Sequence, residues 1–169
     1  MQFIKCKLFL ICFVLFCCNL NAQIKIDKAG DFWDLEIQRS LDKIKIVDPF
    51  LYDFVERNVD RISVWNGSIN TIHMIDGKRV IVISSKNFGR GSINNLASTI
   101  IHEAYHIAHI SDNNNNNNNN NLCNEEMQAY LFELSFLFKI KDVEPWLIEF
   151  VYDKAMEYRV KVEKGTCNM

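Results

Sequence analysis

The chain has 169 residues, of which 49% are apolar, and it carries 19 Lys and Arg against 21 Asp and Glu. This size is that of one domain, large enough to bury a hydrophobic core. The formal net charge of −2, with no basic cluster and no base-stacking motif, argues against nucleic acid as a partner.

Residues 1–22 have the three parts of a signal peptide: a basic start, the apolar stretch Leu8–Cys18, and the small residue Ala22 at the end. An apolar stretch of this length is too short to span a bilayer. We therefore expect cleavage after Ala22, a secreted or periplasmic domain over residues 23–169, and no stable membrane insertion after cleavage.

The six cysteines divide between the predicted leader and the mature domain. Anchoring as a lipoprotein through Cys18 is the less favoured alternative, because Leu15–Cys18 is a poor lipobox. Only Cys123 and Cys167 remain after cleavage, and in an oxidising compartment they are candidates for one disulfide. The alternative is a pair of free thiols.

The first part of the mature domain is predicted to be helical and then extended. Apolar residues at helical spacing predict helices over residues 32–44 and 49–59, with Asp48-Pro49 as the cap and first turn of the second. Three strands are then predicted, over residues 61–65, 69–75 and 79–84. Asp76-Gly77 lies between the last two strands, which we therefore expect to pair as an antiparallel hairpin.

The next predicted helix, over residues 92–110, contains His-Glu-Ala-Tyr-His at positions 102–106. On a helix His102 and His106 are one turn apart, about 6 Å along the axis, so both imidazoles can reach one metal ion. Glu103 lies beside that ion, where it can take a proton from a water molecule. The motif predicts a zinc hydrolase with Glu103 as the general base.

A third zinc ligand is needed, and two nearby residues are poor candidates. His109 lies about 10 Å beyond His102 on a continuous helix, which is too far for one ion to bind all three imidazoles. Asp112 would need a chain turn at position 109, where this sequence lacks glycine.

Nine asparagines, residues 113–121, follow this helix. A polar run without apolar residues does not pack into a core, so we expect a mobile loop. It could border the active-site cleft; we favour the interpretation of a tolerated insertion or of a stretch whose true sequence is not represented.

An amphipathic helix is predicted over residues 124–140, and it begins with Glu125 and Glu126. Glu126-Met-Gln-Ala129 after an HExxH motif resembles the gluzincins, zinc metallopeptidases whose third ligand is the glutamate of a Glu-x-x-Ala pattern on the following helix. The resemblance implies that Glu126 is the ligand, and the small Ala129 lets the two helices approach closely. Glu125 is the competing candidate; its alternative role is a favourable charge in the first helical turn.

The resemblance also implies that an extended substrate adds to the strand before the active-site helix, for which Val80–Ser85 is our candidate. An ordinary core strand is an equal alternative. A residue that stabilises the oxyanion is expected downstream, and Tyr152, on a last helix predicted over residues 144–158, is best placed among several candidates. Those candidates are Tyr130, Tyr152, Tyr158, Arg159 and His73.

The sequence therefore predicts an α+β, zincin-like fold in which a small antiparallel or mixed sheet packs on the active-site helix and the following ligand helix. The expected activity is that of a secreted metallopeptidase that binds one Zn²⁺ per chain and cleaves a peptide or protein substrate. The alternative is a binding module that has kept the zincin fold with a structural zinc or without zinc. Substrate preference and oligomeric state are not readable from this sequence.

Overall fold

The computed structural model describes residues 23–27, 30–88, 92–110 and 119–167. The predicted signal peptide, Asp112 and the asparagines up to 118 lie outside the described residues. Within the ranges that are described, the fold is α+β, with five α-helices and one mixed four-stranded sheet. No helix in these ranges has both the length and the apolar character that a membrane crossing requires.

The elements are numbered in chain order. The helices are α1 Asp31–Val47, α2 Pro49–Asn58, α3 Ile93–His109, α4 Asn119–Leu137 and α5 Pro145–Lys164. The strands are β1 Lys25–Ile26, β2 Arg61–Trp65, β3 Thr71–Ile75 and β4 Lys78–Ser84, and a short 3-10 helix, Ser85–Asn87, follows β4.

The sheet has the order β1-β2-β4-β3, with β1, β2 and β4 parallel and β3 antiparallel to β4. The predicted hairpin is confirmed, since Ile72 pairs with Ile81 and the turn residues Asp76 and Gly77 have φ angles of 50° and 71°. Two successive positive φ angles are typical of a two-residue hairpin turn that matches the twist of its strands.

The prediction that a substrate adds to Val80–Ser85 is wrong for this structure. Most of this segment belongs to β4, which pairs with β2 on one side and with β3 on the other. Its backbone hydrogen-bonding groups are therefore already used within the sheet. In the described part of the chain, β3 pairs only with β4 and forms one edge of the sheet.

Helix α3 lies at the centre of the molecule, in contact with α1, α2, α4 and the β3–β4 hairpin. Its apolar side belongs to the main hydrophobic core and is buried throughout. The residues of this apolar face are Leu96, Ala97, Ile100, Ile101, Ala104 and Ile107. Their burial fixes the rotation of α3 about its own axis and hence the direction of its polar side chains.

Two α-helix starts have side-chain caps, and one of these is the predicted cap Asp48. The Asp48 carboxylate accepts hydrogen bonds from the backbone N–H groups of Phe50 and Leu51, both at 3.1 Å, and pairs with Lys139 after α4. Ser92 caps α3 by accepting from the backbone N–H of Asn95. Such caps satisfy donors that have no partner within the helix.

The last two helices differ from their predicted bounds. Helix α4 begins at Asn119, inside the asparagine run, and ends at Leu137 rather than at residue 140, because the chain tightens into i→i−3 hydrogen bonds there. Helix α5 continues past residue 158 to Lys164. It ends where Gly165 adopts the left-handed conformation, with φ of 62°.

Candidate metal centre

The two histidines of the HExxH motif project from α3 toward α4. The Nε2 atoms of His102 and His106 lie 3.1 Å apart, and the His102 ring is buried. The helical spacing of four residues puts both rings on one side of α3, as predicted.

Glu126 reaches the same point from α4. Its Oε2 lies 3.6 Å from Nε2 of His102, and its Oε1 lies 3.4 Å from Nε2 of His106. Ala129, one turn further along α4, is fully buried where the helices pack. The structure thus brings together the three residues that the sequence suggested as ligands, and it places one ligand atom of each within 4.8 Å of the others.

These atoms lie close enough together to surround one zinc ion. Zn–N and Zn–O bonds of about 2.0 to 2.1 Å in a tetrahedron put neighbouring ligand atoms about 3.3 Å apart. The two Nε2 atoms are 3.1 Å apart, Nε2 of His102 lies 3.6 Å from Oε2 of Glu126, and Nε2 of His106 lies 3.4 Å from Oε1 of the same carboxylate. Two imidazoles and one carboxylate leave the fourth position of such a tetrahedron open, which is the donor set of a catalytic rather than a structural zinc site.

The outer nitrogen of each histidine contacts a further carboxylate. Nδ1 of His102 lies 3.2 Å from Oε2 of Glu133, and Nδ1 of His106 lies 3.1 Å from Oε1 of Glu125. An ionised carboxylate only accepts hydrogen bonds, so Nδ1–H donates in both pairs. In a neutral ring this tautomer turns the Nε2 lone pair toward the shared centre, which orients the imidazole for a metal.

The role of Glu133 was missed by sequence reasoning, and Glu125 has a different role from either one considered. Glu133 follows Glu126 by seven residues, two helical turns, and it is only 5% exposed. A glutamate at a buried position of an apolar helix is the signal that could have identified it. Glu125 binds the far side of His106 instead of joining the three ligand atoms.

The carboxylates around the two histidines favour a positive charge at this centre. Burial of His102 disfavours its protonation, but hydrogen bonds with Glu126 and Glu133 outweigh burial and raise its pKa to about 10. Burial also raises the pKa of Glu103, although both histidines oppose this. Two Nε2 lone pairs facing each other at 3.1 Å repel unless a proton or a metal ion lies between them.

Glu103 and His102 line a cavity of about 470 Å³ beside the histidine cluster. Its other lining residues are Asn70, Asn95, Thr99, Tyr130, Glu133, Trp146 and Phe150. The volume is within the range of small-molecule and peptide side-chain sites. The general base candidate therefore faces space that a substrate can enter.

Tyr130, rather than Tyr152, is the tyrosine at this cavity. The Tyr130 ring lies 4.4 Å from the His102 ring, and burial followed by nearby carboxylates raises the pKa of its phenol. Tyr158 stacks on Tyr130, with ring centroids 5.9 Å apart. Tyr152 is 51% exposed and is absent from the cavity lining, because it lies on a different side of α5 from the residues that face the cavity.

His109 lies away from the cluster, as the helix geometry predicted. Its Nδ1 lies 2.7 Å from the backbone carbonyl oxygen of Tyr105, and its ring stacks on the Tyr105 ring at 4.1 Å. These contacts hold the imidazole against the last turn of α3, away from the shared centre. A histidine at this position is favoured by the helix dipole.

Cys123 and Cys167 are joined by a disulfide, with their Cα atoms 6.0 Å apart. Both cysteines are buried. The bond ties the segment after α5 to α4 at a point two residues before Glu125. It therefore restrains the first turns of the helix that carries Glu125 and Glu126.

Comparison with known proteins gives no match to a family model, to a curated protein or to a solved structure. The chemistry of the site therefore rests on the residues themselves.

Proposed function

We propose that this protein is a zinc-dependent metallopeptidase of the gluzincin type with a zincin-like fold. The observation that carries the proposal is the triangle formed by Nε2 of His102, Nε2 of His106 and the Glu126 carboxylate. The two nitrogens are 3.1 Å apart, and they lie 3.6 and 3.4 Å from different oxygens of that carboxylate. The position of Glu103 supports hydrolysis in particular, because this carboxylate lines the adjacent cavity.

The residues of this chain divide the work of peptide hydrolysis. Zn²⁺ bound by the triangle would supply a Lewis acid for a water molecule and for the scissile carbonyl. The Glu103 carboxylate accepts a proton from the attacking water and later donates it to the nitrogen of the leaving amine. Burial, which raises the pKa of Glu103, favours the carboxyl form that holds this proton between the two steps.

Tyr130 is the candidate for stabilising the oxyanion. Its ring lines the cavity and contacts the His102 ring. A raised phenol pKa keeps the hydroxyl protonated, so that it donates a hydrogen bond to a developing negative charge.

The substrate is a peptide or protein segment in extended conformation. Asn70, directly before β3, lines the cavity, so a chain in the cavity passes the start of this edge strand. We propose that the substrate backbone pairs with the edge strand β3, in place of the interior strand β4 that the sequence suggested.

Export from the cytoplasm is part of the proposal. It rests on the signal-peptide pattern of residues 1–22, and the Cys123–Cys167 bond supports it because disulfides persist mainly in oxidising compartments.

The test that separates a peptidase from a zinc-bearing binding module is Glu103→Gln. This change keeps the shape of the side chain and leaves the three ligand atoms in place. We expect zinc to be retained while cleavage of a broad peptide library, read by mass spectrometry, falls about 10²- to 10⁴-fold. Glu163→Gln, an exposed glutamate at the end of α5, is the matched control and should cleave like the wild type.

Two results would decide against the peptidase. If zinc-loaded wild type cleaves no peptide that Glu103→Gln leaves intact, the protein is a binding module. Cleavage that survives removal of zinc by a chelator assigns the activity to another site.

A further inference from the structure

Two aromatic side chains form one wall of the cavity beside the histidine cluster. Trp146 and Phe150 lie four residues apart on α5, so they face the same direction. They are 48% and 51% exposed, and both line the cavity. Large aromatic surfaces left open to solvent inside a concave site are typical of ligand recognition.

Two partly buried hydrogen bonds fix the position of this wall. The Asn94 side-chain amide donates to the Asp142 carbonyl oxygen at 3.3 Å and to the Glu144 carboxylate at 3.0 Å. Asn94 is 8% exposed, and Glu144 is the residue directly before α5. The start of α5, with Trp146, is thus held against the start of α3.

The cavity is continuous with the catalytic residues. Asn95, Thr99 and Glu103 lie on one stripe of α3 because they are four residues apart, and all three line the cavity. This stripe spans about 12 Å of helix, the length of three to four residues of an extended peptide. A side chain held by Trp146 or Phe150 therefore belongs to the same substrate segment as the scissile bond.

The lining also defines which side chains are accepted. Apart from Glu103, Glu133 and His102, which belong to the centre already described, the lining residues are uncharged. The Glu133 carboxylate is engaged with His102. The remaining wall thus offers amide, hydroxyl and aromatic groups and no partner for a charged substrate side chain, whose desolvation would then cost free energy.

We propose that Trp146 and Phe150 determine specificity, by binding an aromatic side chain of the substrate within three or four residues of the scissile bond. This inference rests on the proposed peptidase function and adds the substrate class. Aromatic rings pack against one another in edge-to-face or offset arrangements, which favours Phe, Tyr or Trp over an aliphatic side chain of similar size.

The experiment uses blocked heptapeptides of alanine with Phe, Leu, Lys or Glu at the central position. Binding is measured by isothermal titration to zinc-loaded Glu103→Gln, which requires no catalysis, and cleavage is measured with zinc-loaded wild type. We expect the Phe peptide to bind and react at least about 10-fold better than the Lys and Glu peptides, with Leu between them.

The variants Trp146→Ala and Phe150→Ala should each reduce this preference about 10-fold. Phe138→Ala is the matched control, because Phe138 is an exposed phenylalanine outside the cavity, and its effect should stay within about 2-fold. Phe150→Lys should improve relative use of the Glu peptide, a gain that misfolding does not produce.

The outcomes separate the two proposals. Equal binding of all four peptides, preference for Lys, no measurable binding, or unchanged preference in Trp146→Ala and Phe150→Ala would overturn the specificity inference. Cleavage without preference leaves the peptidase proposal standing. Aromatic-dependent binding without cleavage overturns the peptidase proposal and keeps only the part of the inference that assigns an aromatic-binding site to Trp146 and Phe150.

Discussion

The apolar face of α3 and its histidine face show two different uses of buried surface. Ile100, Ile101 and Ala104 on the first are fully buried among other apolar groups, and each contributes favourable free energy in proportion to the area removed from water. On the second, His102 and His106 contact three carboxylates, those of Glu125, Glu126 and Glu133. Groups of this kind cost free energy to bury unless they are paired. The first face stabilises the fold, whereas the second requires a proton or a cation.

Removal of the disulfide should have one of the largest effects on stability among the changes that sharpen this comparison. Cys123 and Cys167 are 44 residues apart in sequence, and closing such a loop in the unfolded chain is worth about 4 kcal/mol in the chain-entropy model. In the double variant Cys123→Ser/Cys167→Ser the free energy of unfolding, measured by urea denaturation, should fall by about this amount. A loss below about 1 kcal/mol would contradict the expected contribution of this bond to stability.

Truncation on the apolar face should reduce stability without affecting metal. Ile101→Ala leaves a cavity in the core and should lower the free energy of unfolding by about 2 to 5 kcal/mol. Since the ligand atoms are untouched, the zinc dissociation constant measured by competition titration should stay within about 2-fold. A large loss of zinc affinity in this variant would mean that the two faces are not separable.

The carboxylates behind the histidines should affect metal more than fold. Glu133→Gln and Glu125→Gln should each weaken zinc binding about 10- to 100-fold, because each removes the group that orients an imidazole. Glu133 should have the larger effect, since its side chain is 6% exposed against 15% for Glu125. Effects as small as that of Glu163→Gln would contradict the orienting role of both carboxylates.

The smallest effect is a gain in stability. Burial raises the pKa of Glu103 above its ordinary 4.5, so the ionised form is disfavoured in the folded state. Stability of the metal-free protein is therefore lost as pH rises from 4.5 through the raised pKa. Glu103→Gln lacks this loss. The metal-free variant should therefore have a higher melting temperature than the metal-free wild type at pH 7, and the two melting temperatures should differ less at pH 4. Equal melting temperatures at both values would contradict the burial cost.

Local patterns predicted much of this molecule. The Asp48-Pro49 cap, the Asp76-Gly77 turn and the spacing of His102 and His106 each depend on neighbouring residues only, and the structure has a helix start, a hairpin and a shared imidazole site at these positions. Helical spacing of apolar residues likewise predicted the five α-helices of the described residues.

Features that depend on tertiary packing were predicted less well. The interior position of β4 follows from β2 pairing in parallel with it across a long connection, which no short pattern encodes. The contact between Glu133 and His102 joins residues 31 positions apart. The ends of α4 and α5 moved because capping and turn geometry, rather than periodicity, decide where a helix stops.

The most direct test of the account is the zinc content of purified protein. We expect elemental analysis of protein prepared without chelator and dialysed against zinc to give one zinc per chain, with none retained by His102→Ala, His106→Ala or Glu126→Gln. His73→Ala, an exposed histidine on β3, should keep the full zinc content. Wild type without zinc, or ligand variants that bind as much zinc as the wild type, would contradict the assignment of the metal centre.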